Sequence, residues 1–150
     1  MINKDELEAS LMLMREIKIH KHATDKPSES MFGYWLQQHS PKLESFQSNE
    51  KTGKWCIFIS PSKVDAAWEN LKKVISEDKL MLAKVSTKMG IPKFKKHVIC
   101  VYTKDWSDIQ DLERTREVLR EIGFKRPLKY KRDIETINGV YGKNEFYLKM

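Results

Sequence analysis

The chain has 150 residues, 40% of them hydrophobic and 10% aromatic, enough for one packed domain with or without an arm, so wholesale disorder is excluded. No apolar run reaches the ~20 residues that span a bilayer, the charged start MINKDELEAS is unlike a secretory signal, and two cysteines are too few for a disulfide scaffold or a metal cluster. These features predict a reduced, cytoplasmic protein with no membrane segment, carrying 28 Lys+Arg against 21 Asp+Glu and a net charge of +7.

Residues 4–19 read as an amphipathic helix, with Asn3 and Glu6 at capping-box spacing and Leu7, Leu11, Met14 and Ile17 on one face. From His20 to Gly53 the chain is polar and punctuated, broken by one aromatic island over residues 31–36. Residues 1–54 are therefore expected to form a helix plus an irregular arm, and 55–150 an α+β core. In that core WCIFIS (55–60) has the length and composition of a strand. Ser62 and Asp65 suggest a capping box for a helix whose buried stripe is Val64, Ala67, Trp68, Leu71, Val74 and Ile75. LMLAKV (80–85) and HVICVY (97–102) are further strands around a loop marked by Gly90 and Pro92. Another helix is expected over 107–122, with Asp105 and Asp108 at its start, Ile109, Leu112, Leu119 and Ile122 inward, and Gly123 ending it. LKYK (128–131) and EFYLK (145–149) close the pattern around a turn at Asn138-Gly139. Helices separated by pairs of strands imply a mainly antiparallel sheet backed by helices on one face. A βαββαβ unit fits the middle of the chain equally well.

Residues 1–54 carry as many acidic as basic side chains, so the whole excess charge falls on 55–150. It concentrates in two runs that contain no acid, 84–104 and 125–132. Such a local surplus attracts phosphate groups or polyanions. Lys93, Lys95, Lys96, Lys129, Lys131 and Arg132 are the candidate phosphate ligands. Trp68 lies on the helix stripe, Trp106 suits a hydrophobic staple, and Trp55 opens a strand as core or rim. Trp35, in the irregular island, is the tryptophan expected at a pocket, and with Tyr102 it is a candidate for stacking a base. No glycine-rich phosphate loop occurs, and His20, His22, His39 and His97 lack partners at metal-ligand spacing, so neither cofactor nor metal is expected. Lys84 interrupts an apolar strand among other lysines, a setting that lowers the pKa of an ammonium group and suits a general base. His97 opens the next strand and could face the same surface.

The run HVICVYTKDWSDIQDLERTREVLREIG with LKYKRDIETINGVYG, together with WCIFISPSKVDAAWENL and LMLAKVSTK, resembles the basophilic-leukaemia-expressed protein family over about residues 55–142. The resemblance implies a fold like that of the mRNA cap-binding initiation factor, a curved antiparallel sheet backed by helices. In that factor two tryptophans sandwich the methylated base, and no local motif assigns either to a tryptophan here. The family is also likened to phosphothreonine lyases, in which a lysine takes the α-proton and a histidine serves as acid. Lys84-Val85-Ser86-Thr87 resembles their lysine stretch, and Ile57-Phe58-Ile59-Ser60 their histidine strand, with Phe58 where the histidine stands. Two expectations follow. One is a module that binds RNA or a nucleotide on the open face of its sheet. The alternative is a lyase acting on a phosphorylated peptide, with Lys84 as base and His97 as a substitute acid.

Overall fold

The structure, a computed structural model, describes residues 5, 26–91, 95–137 and 146–150. Apart from Asp5, the helix expected over 4–19 lies outside the described residues, as do His20, His22, Lys93 and the turn at Asn138-Gly139. The fold is α+β, a curved open sheet of six strands in the order β1-β3-β4-β2-β5-β6, every neighbouring pair antiparallel. The strands are β1 (Trp35–His39), β2 (Gly53–Ile59), β3 (Leu82–Ser86), β4 (His97–Thr103), β5 (Lys129–Arg132) and β6 (Leu148–Lys149). The βαββαβ segment builds the middle four, and β1 and β6 extend the sheet by one strand at each edge. Residues 35–39, expected in an irregular arm, thus form an edge strand: β1 pairs with β3 from Trp35 opposite Ser86 to His39 opposite Leu82.

Helices α1 (Pro61–Ser76) and α2 (Ile109–Glu121) are the long elements beside the sheet, and α3 (Asp133–Ile137) is a short turn after β5. On α1 the expected stripe is buried through Val64, Trp68, Leu71, Val74 and Ile75. These side chains meet Trp55, Ile57, Ala83, Val85, Ile99 and Val101 from the sheet in one core. Trp55 is fully buried, and its indole N–H donates to the Thr115 hydroxyl at 3.0 Å.

Three local expectations are corrected. The N-cap of α1 is Ser60, without a side-chain cap bond, because Pro61 starts the helix. Asp65 instead accepts from the Ser28 N–H and hydroxyl at 3.0 and 2.5 Å, tying residues 26–30 to the helix. Ile109, at the first position of α2, is exposed, and the buried stripe continues through Thr115 and Arg116. Each nitrogen of the Arg116 guanidinium donates to a carbonyl, those of Met150, Phe124 and Arg126 at 2.8, 2.8 and 2.6 Å, which is how a buried cation avoids a stranded nitrogen. The Trp106 N–H donates to the Glu50 carbonyl at 2.8 Å, so this residue docks the segment before β2. Asp108 caps α2 by accepting from the Asp111 N–H at 3.3 Å.

Candidate functional site

A strand sends successive side chains to opposite faces, and that alternation divides the charge of this protein. On the helix-covered face the registers place Trp55, Ile57, Ala83, Val85, Ile99, Val101 and Tyr130, all buried. The intervening positions make the other face. Across the sheet one row reads Trp35, Ser86, Val98, Phe58, and the next reads Gln37, Lys84, Cys100, Cys56, Lys129, Lys149. A third row reads His39, Leu82, Tyr102, Lys54, Lys131. The strand positions of this face therefore include Lys54, Lys84, Lys129, Lys131 and Lys149 and not one carboxylate.

Residues 40–52 cross the end of this face where β3 begins. Leu43 and Phe46 pack on Leu82, Cys100 and Tyr102, and the Phe46 and Tyr102 rings meet edge-on at 5.3 Å. The crossing is pinned by Asp133, whose carboxylate accepts from the hydroxyls of Ser48 and Thr52 and from the Lys54 ammonium at 2.8 Å. Burial raises the Asp133 pKa, but the bonds from Lys54, Ser48 and Thr52 outweigh it and hold the carboxyl below its ordinary value.

The opposite end is uncovered. Trp35 is 43% exposed and Phe58 68% exposed, and they wall a hollow of about 500 Å³ with Ser86, Ile91, Lys96 and Val98. The Lys84 ammonium lies over the Trp35 ring at 4.1 Å and near the Tyr102 ring at 5.8 Å. Such a contact is worth ~0.5–1 kcal/mol at an exposed site, enough to aim the lysine without consuming its three donors. The arrangement offers flat aromatic surface with an ammonium beside it, which suits a planar ring attached to an anion.

At the centre of the face Cys56 stands directly opposite Cys100. Both are free thiols. The facing Cys100 thiol, with Lys54 and Lys131 nearby, holds the Cys56 pKa below the ordinary thiol value against the opposing effect of burial. The facing Cys56, together with burial, pushes Cys100 well up.

The expected site residues separate on this frame. Lys129 and Lys131 share the open face, and Lys96 borders the Trp35 hollow. Lys95 is exposed beside it in a left-handed backbone conformation, φ 56°. Arg132 does not join them, because it neighbours Lys131 in a strand and so points the other way. Its guanidinium lies over the touching Trp106 and Tyr147 rings at 4.8 and 5.0 Å and donates to Glu135 at 3.0 and 2.9 Å. His97 is likewise on the helix side, fully buried, with Nδ1 2.6 Å from the Ser86 carbonyl, whereas Lys84 is on the open face. The structure does not bring the two together. Tyr102 is nearly buried under Phe46 and forms floor, so its ring offers no free stacking surface. Sequence reasoning missed Phe58, Lys54 and Lys149 as parts of this face. The signal was present in the alternation Lys54-Trp55-Cys56-Ile57-Phe58-Ile59, which a continuous apolar run conceals.

The model of the family described as basophilic leukemia-expressed protein Bles03 matches residues 34–137. That match begins within the aromatic island and so takes in β1, earlier than the sequence resemblance suggested. Among solved structures, C. elegans eIF4E-3 in complex with the 4E-binding protein Mextli and a cap analog is similar at a TM-score of 0.62 and 12% identity, over 90% of this chain and 80% of that one. A schistosome eIF4E complexed with m7GpppA and 4E-BP is similar at 0.62 and 16%, over 91% and 80%. Ascaris suum eIF4E-3 with an m2,2,7G cap gives 0.57 and 15%, over 91% and 79%. Identities this low establish a shared fold, the curved sheet with helices on one side.

Proposed function

The chain belongs to the basophilic leukemia-expressed protein Bles03 family, and from that premise we propose that its open sheet face binds a phosphorylated ligand of the nucleotide or RNA class. An aromatic base lies against Trp35 between that ring and Phe58, and the phosphates meet Lys84, Lys96 and Lys129. The observation that carries this reading is the composition of the face: Lys84, Lys129, Lys131 and Lys149 at strand positions that include no carboxylate, beside an exposed tryptophan. The fold neighbours add support, since the eIF4E structures are complexes with a cap analog, m7GpppA or an m2,2,7G cap. Both cysteines being free thiols fits action in a reducing compartment such as the cytosol. Elimination from a phosphopeptide needs a base and an acid on one substrate. Lys84 and His97 on opposite faces leave that alternative without its pair.

Thermal unfolding against a ligand panel tests the reading, because a ligand bound only by the folded state raises the midpoint. The panel is a cap analogue, plain nucleotides, a short single-stranded RNA, and a phosphothreonine peptide beside its unphosphorylated twin. The expected result is a shift with the cap analogue, nucleotides or RNA. Trp35→Ala should remove ~1–3 kcal/mol of that binding, the worth of one stacked base. A shift with the phosphopeptide alone, or none at all, overturns the reading.

A further inference from the structure

Past Phe58 the open face continues into a second groove of about 590 Å³, bounded by the end of β2, the start of α1, the α2–β5 connection and the β5–β6 edge. Five cations from four separate segments converge there: Lys63 on α1, Lys125 and Arg126 in the connection, Lys129 on β5 and Lys149 on β6. No carboxylate lines the groove. Among the described residues none of these five is ion-paired. The contrast with the helices is direct. There Lys72, Arg114 and Arg120 each hold a carboxylate three residues away at 2.7, 2.9 and 3.1 Å. Five like charges gathered without counter-charge repel one another in the folded protein, and a polyanion relieves that repulsion on binding.

The groove is not separate from the Trp35 hollow, for Phe58 walls both. Together they make one path from Trp35 and Lys96 on the β1 side to Lys149 on the β6 edge. Six strands at ~4.8 Å spacing give that path a length of ~24 Å. A stacked single strand advances ~3.4 Å per phosphate, so a lone nucleotide leaves most of the path empty and a strand of several nucleotides fills it.

Resting on the reading of the open face given above, we propose that the ligand is a single-stranded oligonucleotide, and that the groove beyond Phe58 is the subsite for its phosphates downstream of the base at Trp35. The exposed Phe58 ring between the two hollows provides a second stacking surface where the strand crosses.

The test is a binding titration of the full chain with an RNA octamer, a DNA octamer of the same sequence, the corresponding mononucleotide and an inorganic polyphosphate of matched charge. It is repeated for Lys125→Ala/Arg126→Ala and for Trp35→Ala, with thermal melts to establish folding. Lys125 and Arg126 are exposed loop side chains, so the double variant retains the fold. In the native chain an octamer should bind at least tenfold more tightly than the mononucleotide, and a difference between RNA and DNA identifies the strand. The double variant should lose about tenfold for the octamer, flatten the slope of log K against log salt by ~1.4, and leave the mononucleotide unaffected. Unchanged octamer affinity and slope in that variant overturn the subsite. So does polyphosphate binding as tight as the octamer. If Trp35→Ala weakens the mononucleotide while the double variant leaves the octamer intact, the open-face reading survives and this one fails. If the double variant weakens the octamer while Trp35→Ala weakens nothing, the base site at Trp35 fails and the phosphate groove stands.

Discussion

Lys84 and Cys56 show how strongly the chemistry of a side chain here depends on what the sheet sets opposite it. Lys84 follows Ala83 in an apolar strand, and the sequence suggested a desolvated base. In the fold it lies across the Trp35 ring, one strand from Cys100. Cys56 sits in an apolar run and reads from the sequence only as a reduced thiol. It faces Cys100 and feels Lys54 and Lys131, which together lower its pKa, while that of Cys100 is raised. The expected outcome is selective alkylation of Cys56 by iodoacetamide near neutral pH, read by peptide mass spectrometry. Cys100→Ala removes the facing thiol, returns the Cys56 pKa toward its ordinary value, and should slow the labelling at pH 7. Equal labelling of both cysteines, or an unchanged rate in the variant, contradicts this.

At the scale of elements, the segment over residues 40–52 decides which part of the open face stays open. It carries no regular structure of its own beyond short turns, yet Leu43 and Phe46 bury Tyr102 and Cys100, and Asp133 fastens its end to β2. The Lys54–Asp133 pair has side chains only 13% and 4% exposed. Removing the carboxylate strands a largely buried ammonium and two hydroxyl donors, so Asp133→Ala should cost ~3 kcal/mol, measured by denaturant unfolding at pH 7. The pH dependence has a definite sign. The folded carboxyl titrates below its unfolded value of ~3.9, so its contribution is complete above that pH and is lost as pH falls through the folded value. Stability curves of the native chain and Asp133→Asn should therefore run a constant distance apart above pH ~3.9 and draw together as pH falls below it. Gly53 belongs to the same junction: the Tyr130 ring lies so close over it that a Cβ would collide with the ring. This explains a glycine at the start of a central strand.

For the whole molecule, the net charge of +7 matters less than its distribution between faces. On the helices Lys72, Arg114 and Arg120 are ion-paired within their own helix, while the open face and the groove beyond it gather lysines from β3, β5 and β6. Binding of a single strand through four such contacts should give a slope of log K against log salt of about −2.8. A slope near zero in a salt titration of the RNA octamer contradicts phosphate contact as the source of affinity.

Much of this architecture is legible in the residues themselves. The stripe from Val64 to Ile75 writes a local period of 3.6, the cap at Asp108 marks a helix start, and the apolar runs around residues 55–60 and 97–102 have the length and composition of strands. Such local signals survive whatever surrounds them. Those signals determined the elements, their order implied the antiparallel class, and the placement of charged residues showed the two basic runs. Local pattern leaves open which strands become neighbours and which side of a strand meets solvent. Only tertiary structure turned an irregular-looking stretch into edge strand β1, because its pairing partner lies some fifty residues away. It sent Arg132 and His97 to the helix side and Lys131 and Lys84 to the other, since a shift of one residue reverses the face. It also brought Lys63, Lys125 and Lys149 to one groove from segments that share no run of sequence.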